Sequence, residues 1–232
     1  MEVFLMKHSI VKMSMGLLFA GAFLLAGCKS TDTKVSKSVT TEIIDFRGAE
    51  FSTEPAAWVK TAVMENAVDK ETLPSSVQDQ LAGKHYIITV TDGTANQALN
   101  VVETRAKAKY LQDIALSLNA IVVTQVSADN ADADELTSAA AVAEFTGFSK
   151  VTESWVQKRV TDKTKKTTKD VYSFIAIYAC DNTLWQQQAA DYARKIGQQT
   201  QSENLKKATE RADSIAEAAM AQNGVVVATE LE

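Results

Sequence analysis

Two cysteines, two histidines and two prolines among 232 residues are few enough that the first two scarcities each close off a class of function. If Cys28 is consumed by the modification argued below, Cys180 has no partner, and a fold stapled by internal disulfides is excluded. Stability must then come from a buried core, which a composition of 46% hydrophobic and 23% charged residues can supply. The histidines are His8 and His85, and the first falls in the leader segment. A multi-histidine zinc site is excluded by count, and any Ser-His-Asp or Cys-His arrangement would have to use His85. That residue opens an apolar stretch beside Lys84 and reads as a surface histidine. Neither a cofactor motif nor a paired-carboxylate motif stands out, so the sequence points away from an enzyme. The net charge of −5 repels phosphate backbones, and nucleic acid is not an expected partner.

What the chain does have is one short apolar run, residues 13–27, placed behind Lys7 and Lys12 and ending in Leu25-Ala26-Gly27-Cys28. A positive n-region, an apolar h-region and small residues before a cysteine make residues 1–27 a lipoprotein signal peptide, with Met1 or Met6 as its start. A transmembrane anchor needs about 20 apolar residues, more than this run offers. A cleaved signal without lipid is the other alternative. The thiol at this position is what the processing enzymes require, which favours lipidation of Cys28. Cys28 would carry a thioether diacylglycerol and an N-acyl chain, and no other cofactor or metal is expected. One acyl chain holds a protein only marginally, whereas two or three, at about 0.8 kcal/mol per buried CH₂, anchor it firmly. Lys29 follows, in place of the aspartate that often retains lipoproteins at the inner membrane. The expected location is therefore the outer membrane, lipid-anchored and facing the periplasm or the cell surface.

Residues 28–53 begin with a Ser/Thr/Lys-rich stretch and read as a lipidated flexible tether, with Ile43-Ile44-Asp45-Phe46 as a short strand or docking segment. Beyond it the periodicity predicts an α+β domain over 54–196. A small, mainly antiparallel sheet of three to four strands carries packed helices, and a long C-terminal helical extension follows over 197–232. Trp58, Val59, Ala62 and Val63 fall at helical spacing after Pro55, predicting a helix over 54–68. Ser75 and Gln78 have capping-box spacing for a short helix stopped by Gly83. Residues 85–91 alternate as a strand, with Asp92-Gly93 as a turn. A long helix over 94–119 shows Val101, Ala108, Leu111, Ala115 and Leu118 on one face, and 121–126 has the β-branched content of an extended segment. Residues 151–160 and 171–180 form a hairpin with a polar tip, and the second strand, apolar at both parities, should be central. Asp181 or Asn182 caps a last helix led by Leu184 and Trp185, which Gly197 is expected to bend or break. Leu205, Ala208, Ala212, Ile215 and Ala219 make a further stripe, to pack on the domain or to bind a partner or a second copy, and 225–227 could add an edge strand.

Pro55…Trp58-Val59, the strand over 85–91, Glu103-Thr104-Arg105-Ala106-Lys107-Ala108, the hairpin over 151–180 and the aromatic-led last helix follow one another in an order that resembles the LPP-type ("lipoprotein twenty") envelope lipoproteins. The arrangement is also similar to the N-terminal domain of the flagellar T-ring protein. The likeness runs from about Ile43 to Gln188, and departs from the family pattern where two alanines, rather than one residue, separate Pro55 from Trp58. It implies a small domain with helices on an antiparallel sheet, anchored by lipid and without known catalysis.

Three further features invite a sharper reading. Lys163, Lys165, Lys166 and Lys169, next to Lys158 and Arg159, make the hairpin end basic within an acidic chain. A solvated tip is the plainer reading of that composition, and contact with anionic lipid or another envelope polyanion is the sharper one. Asn130, Asp132 and Asp134 repeat like a calcium loop, but Glu135 and Ala141 occupy the positions that need glycine and glutamate, so helix capping by Asp134 is the better reading. Trp58, Trp155 and Trp185 read as core or sheet cover, and Cys180 as a buried thiol. The expected role is that of a lipid-anchored envelope protein acting through protein contacts or self-association, with periplasmic or surface binding of a small envelope ligand or anionic lipid as the alternative.

Overall fold

The computed structural model describes residues 38–47, 54–94, 97–128 and 132–230. It is an α+β fold built on five strands: β1 (Val39–Phe46), β2 (Lys84–Thr94), β3 (Ser149–Asp162), β4 (Thr167–Asp181) and β5 (Val225–Glu230). Their order in the sheet is β1-β3-β4-β2-β5. Three pairings are antiparallel, and β5 runs parallel to β2. The expected sheet of three to four strands is thus too small, because both marginal segments pair. The apolar cluster around Ile43 becomes edge strand β1, with a bulge between Ile43 and Asp45, and the last apolar run becomes edge strand β5.

β4 is central, as its apolar character at both parities requires, and its two faces feed two cores. On one face Phe174, Ala176, Tyr178 and Cys180 meet a layer of five helices: α3 (Leu99–Val126), α4 (Ala133–Ala141), α5 (Asn182–Gln199), α6 (Glu203–Glu210) and α7 (Ala212–Ala221). On the other, Ile175, Ile177 and Ala179 pack with Trp58, Val59, Ala62 and Val63 of α1 (Ala57–Glu65) and Val77 and Leu81 of α2 (Ser75–Leu81). A sheet covered on both faces buries continuous apolar runs, which explains why β2 and β4 hardly alternate in burial.

Four local expectations are corrected. β2 continues through Asp92-Gly93 to Thr94, because β4 is long enough to pair it to Val171. Residues 121–126 are the last turns of α3, not an extended segment: Ile121, Val122 and Val126 are buried on its inner face, and burial outweighs their β preference. Val101 and Ala108 are exposed, so the inner face of α3 starts at Val102 and Ala106 and continues through Asp113, Ile114, Ala115, Ser117 and Leu118. Gly197 does not interrupt α5, and the break falls at Thr200. The stripe Leu205, Ala208, Ala212, Ile215 and Ala219 is buried against the rest of the domain.

Buried polar groups lock these layers. Tyr192 of α5 donates to Asn119 Oδ1 of α3 at 2.8 Å, and Asn119 Nδ2 donates to the Leu136 carbonyl of α4 at 2.8 Å, so three helices share one satisfied network. Asp181 caps α5 by accepting from the Thr183 and Leu184 N–H groups.

Candidate functional site

The lipobox residues Leu25, Ala26, Gly27 and Cys28 lie outside the described residues. The other predicted site, the basic hairpin tip, is well defined. β3 and β4 are longer than expected and extend the ladder to Asp162 opposite Thr167, so the turn shrinks to Lys163–Lys166 and Lys169 becomes a strand residue opposite Val160. Asp162 organises the turn: its Oδ1 accepts from the N–H groups of Thr164 at 2.9 Å and Lys165 at 3.0 Å. Lys166 takes the left-handed conformation, with φ of 53°, that closes it. All four lysines are exposed. Asp162 Oδ2 stands 4.0 Å from Lys165 Nζ, a loose pair that leaves the ammonium in water.

The neighbouring cations are engaged differently. Lys158 Nζ reaches across β4 and donates to Asp92 Oδ2 of β2 at 2.6 Å, while Ser173 Oγ donates to Asp92 Oδ1 at 2.6 Å. Arg159 binds Asp170 through two donors at 2.8 and 3.0 Å, and with Glu42 of β1 opposite it forms a charge ladder across three strands. The hydrogen-bonded guanidinium holds the Asp170 carboxyl below its usual range. Of the six basic residues read at the hairpin end, two therefore serve the sheet and four face solvent. Asp92 was missed because a turn was expected there; the signal was the length of the two hairpin strands, which a shorter β2 could not have paired.

A second charged cluster gathers on β3. Glu153 is met by Lys150, by Arg47 Nη1 at 3.3 Å and by Lys107 at 3.5 Å. Partial burial works against its charge, but the cations more than offset this and keep its pKa below the ordinary value. Lys107 also lies over the Phe174 ring at 5.6 Å. These pairs fasten β1 and α3 to β3, a structural task.

His85 is not a surface residue. It is 2% exposed, opposite Cys180 in the ladder and stacked on Trp185 with centroids 4.5 Å apart, because β2 is covered on both faces. Burial pulls its pKa down to about 4 and pushes the Cys180 thiol up, so near neutral pH the imidazole is neutral, the thiol protonated, and both are shut away from solvent. Asp113 is fully buried in α3, with Lys109 Nζ 3.5 Å away. Burial raises its pKa to about 6, and it in turn helps lift Tyr178, itself mainly desolvated, to about 12. Its spacing of seven from Ala106 and four from Ser117 was the available signal. Asp132 is buried at the N-cap position of α4 and Asp134 lies in the first turn, where carboxylates meet the positive end of the helix; Asn130 lies outside the described residues. Trp58 and Trp185 belong to opposite cores and Trp155 packs at the margin of the larger one, so they form no shared cage.

Between β1 and α1 runs a shallow groove of about 410 Å³, open along one side and lined by Ile43, Ile44, Phe46, Pro55, Lys60 and Met64 among others. Among the described residues no helix is long and apolar enough to cross a membrane. Set beside known proteins, the chain matches no family model, no characterised protein and no solved structure.

Proposed function

We propose that the protein is a lipid-anchored envelope lipoprotein, held at the outer membrane through Cys28 and acting there in structure or assembly through protein contacts, without catalysis. The observation that carries this reading is the sequence Leu25-Ala26-Gly27-Cys28 at the end of a short apolar run behind Lys7 and Lys12. The order of elements that resembles the LPP-type lipoproteins supports the same role. So does the way the charged side chains of the sheet are spent on one another, at Asp92, Asp170 and Glu153, rather than converging in a cleft. The groove beside β1 is the site for the alternative, a small envelope ligand, and its shallowness is less suited to enclosing one.

The test is the thiol. In cells fed labelled palmitate, the native chain should take up label and sediment with membranes. Cys28→Ser should take up none, keep its leader and lose the lipid anchor. A native chain that never incorporates fatty acid would remove the basis of the reading. For the alternative, a ligand seated in the groove would raise the melting temperature of the native protein and not of Ile43→Glu.

A further inference from the structure

Where the chain enters the fold decides which end of the molecule meets the membrane. β1 starts at Val39, opposite Asp162, and the Ser38 carbonyl accepts from the Lys163 N–H at 2.7 Å. The segment arriving from Cys28 therefore joins the domain at the β3–β4 turn itself. Nine residues separate Cys28 from Ser38, and fully extended they span at most about 35 Å. No other part of the described fold is covalently so close to the anchor.

The same end is the leading one. β2 stops at Thr94, opposite Val171, while β4 begins four residues earlier at Thr167, so the ribbon of β1, β3 and β4 projects beyond β2 by about 13 Å. The acidic residues of the far edge are set back further. Asp92 and Glu230, neighbours in the β2–β5 ladder, lie level with Ser173, about 20 Å behind Thr167. Within the sheet, what reaches furthest forward is the turn and the strand ends beside it, where Lys163, Lys165, Lys166 and Lys169 outnumber Asp162 on a chain whose net charge is −5. Lys158 and Arg159, which could have joined them, are held back by Asp92 and Asp170.

We propose that the β3–β4 turn docks on the anionic phospholipid headgroups of the leaflet that holds the anchor. The ribbon then stands on the membrane, with the sheet end near Gly83 and Asp181 pointing away. This orientation rests on the lipidation of Cys28 for its tether, and on the four lysines for its direction. Lysines beside an anionic surface strengthen attachment about fivefold each at moderate salt, and the tether supplies the local concentration that lets so small a contact be occupied.

The experiment uses the full lipidated chain, reconstituted in vesicles whose headgroups carry a nitroxide quencher. A fluorophore is attached at Thr164→Cys in the turn or at Ala82→Cys at the opposite end; Cys180, 1% exposed, stays unlabelled. In phosphatidylcholine vesicles with about a third phosphatidylglycerol, the Thr164 label should be quenched about threefold more than the Ala82 label. The difference should vanish in pure phosphatidylcholine, in about 0.5 M salt, and in the variant with all four lysines changed to glutamine. Equal quenching at the two positions, or quenching of the turn indifferent to lipid charge and to the four substitutions, overturns the proposal. So does a protein crosslink formed at the turn in cells when the vesicle signal is absent, which would assign the lysines to a partner protein. Lipid found on Cys28 with no quenching at the turn defeats the orientation alone; quenching in a chain that carries no lipid defeats the anchor and keeps the lipid contact.

Discussion

Gly197→Ala should destabilise the protein by about 3 kcal/mol, although alanine is the better helix former by about 1 kcal/mol. α5 runs through this residue, and the start of the α6–α7 pair crosses directly over it. A Cβ at 197 would lie 2.6 Å from the Thr209 backbone nitrogen and 3.0 Å from the Lys206 carbonyl oxygen, with Thr209 Oγ1 nearer still. A hydroxyl can rotate away, but two backbone atoms of a packed helix cannot, so the whole crossing has to open. For a domain of this size the expected fall in melting temperature is about 10 °C. Gly83→Ala is the control: its φ of +70° is unfavourable for alanine, but nothing stands within 4 Å, and a loss of about 1 kcal/mol is expected. A Gly197→Ala protein as stable as its parent would mean that α6 does not sit where it is described. Opening the crossing would also free Leu205 and Ala208, so sedimentation should show self-association in the variant alone.

The second large effect is on acid behaviour, where two buried groups oppose each other. His85 is held near 4 against an ordinary value of 6.5, so it contributes stability that is complete above pH 6.5 and lost as pH falls through 4. Asp113 is raised from 3.8 to about 6, so its contribution is complete below pH 3.8 and lost as pH rises through 6. Each shift corresponds to about 3 kcal/mol over nearly the same window, and with opposite signs they almost cancel in the native chain. Single substitutions should uncover them. Asp113→Asn should gain about 2 kcal/mol at pH 7.5, less than the full shift because the pairing with Lys109 goes too, and that gain should fade by pH 4.5. His85→Phe keeps a ring against Trp185 and should show the reverse slope: relative to the parent it becomes more stable as pH falls from 6.5 to 4, whatever constant offset the larger ring adds. The check is denaturant unfolding across that range, with parent and variant compared at each pH. Difference curves with no slope would place both side chains in contact with water.

How much of this was legible follows from which signals are local. Trp58, Val59, Ala62 and Val63 announced α1 by spacing alone, and all four are buried. β4 announced its central place through apolar residues at both parities. The basic turn was visible as composition. What composition could not tell is that β1 would enter beside it, because the pairing of Val39 with Asp162 joins segments more than a hundred residues apart. The same limit hid His85: beside Lys84 it looks like a strand end, and only the cover supplied by Trp185, a hundred residues later, makes it interior. Ile121–Val126 misled because β-branched residues were weighed by intrinsic preference, while the core that α3 completes rewards them as helix. Gly197 misled for a related reason. In one helix a glycine is a weakness; under a crossing helix it is the space the crossing needs.

β5, the last described strand, has a bearing on how the protein is made. It lies parallel to β2, pairing Val225 with Ile87, and the Asn223 side chain and the Gly224 N–H fasten its start to the backbone of residues 84 and 86. Until residues 223–230 have emerged, β2 keeps a bare edge of unpaired amides beside Ile87 and Ile88. The sheet therefore closes only once the last described residues are made, which would suit a polypeptide exported unfolded, as the proposed lipoprotein role requires. Ending the chain at Asn223 should leave that edge open, and the shortened protein should sediment as aggregates under conditions where the full chain does not.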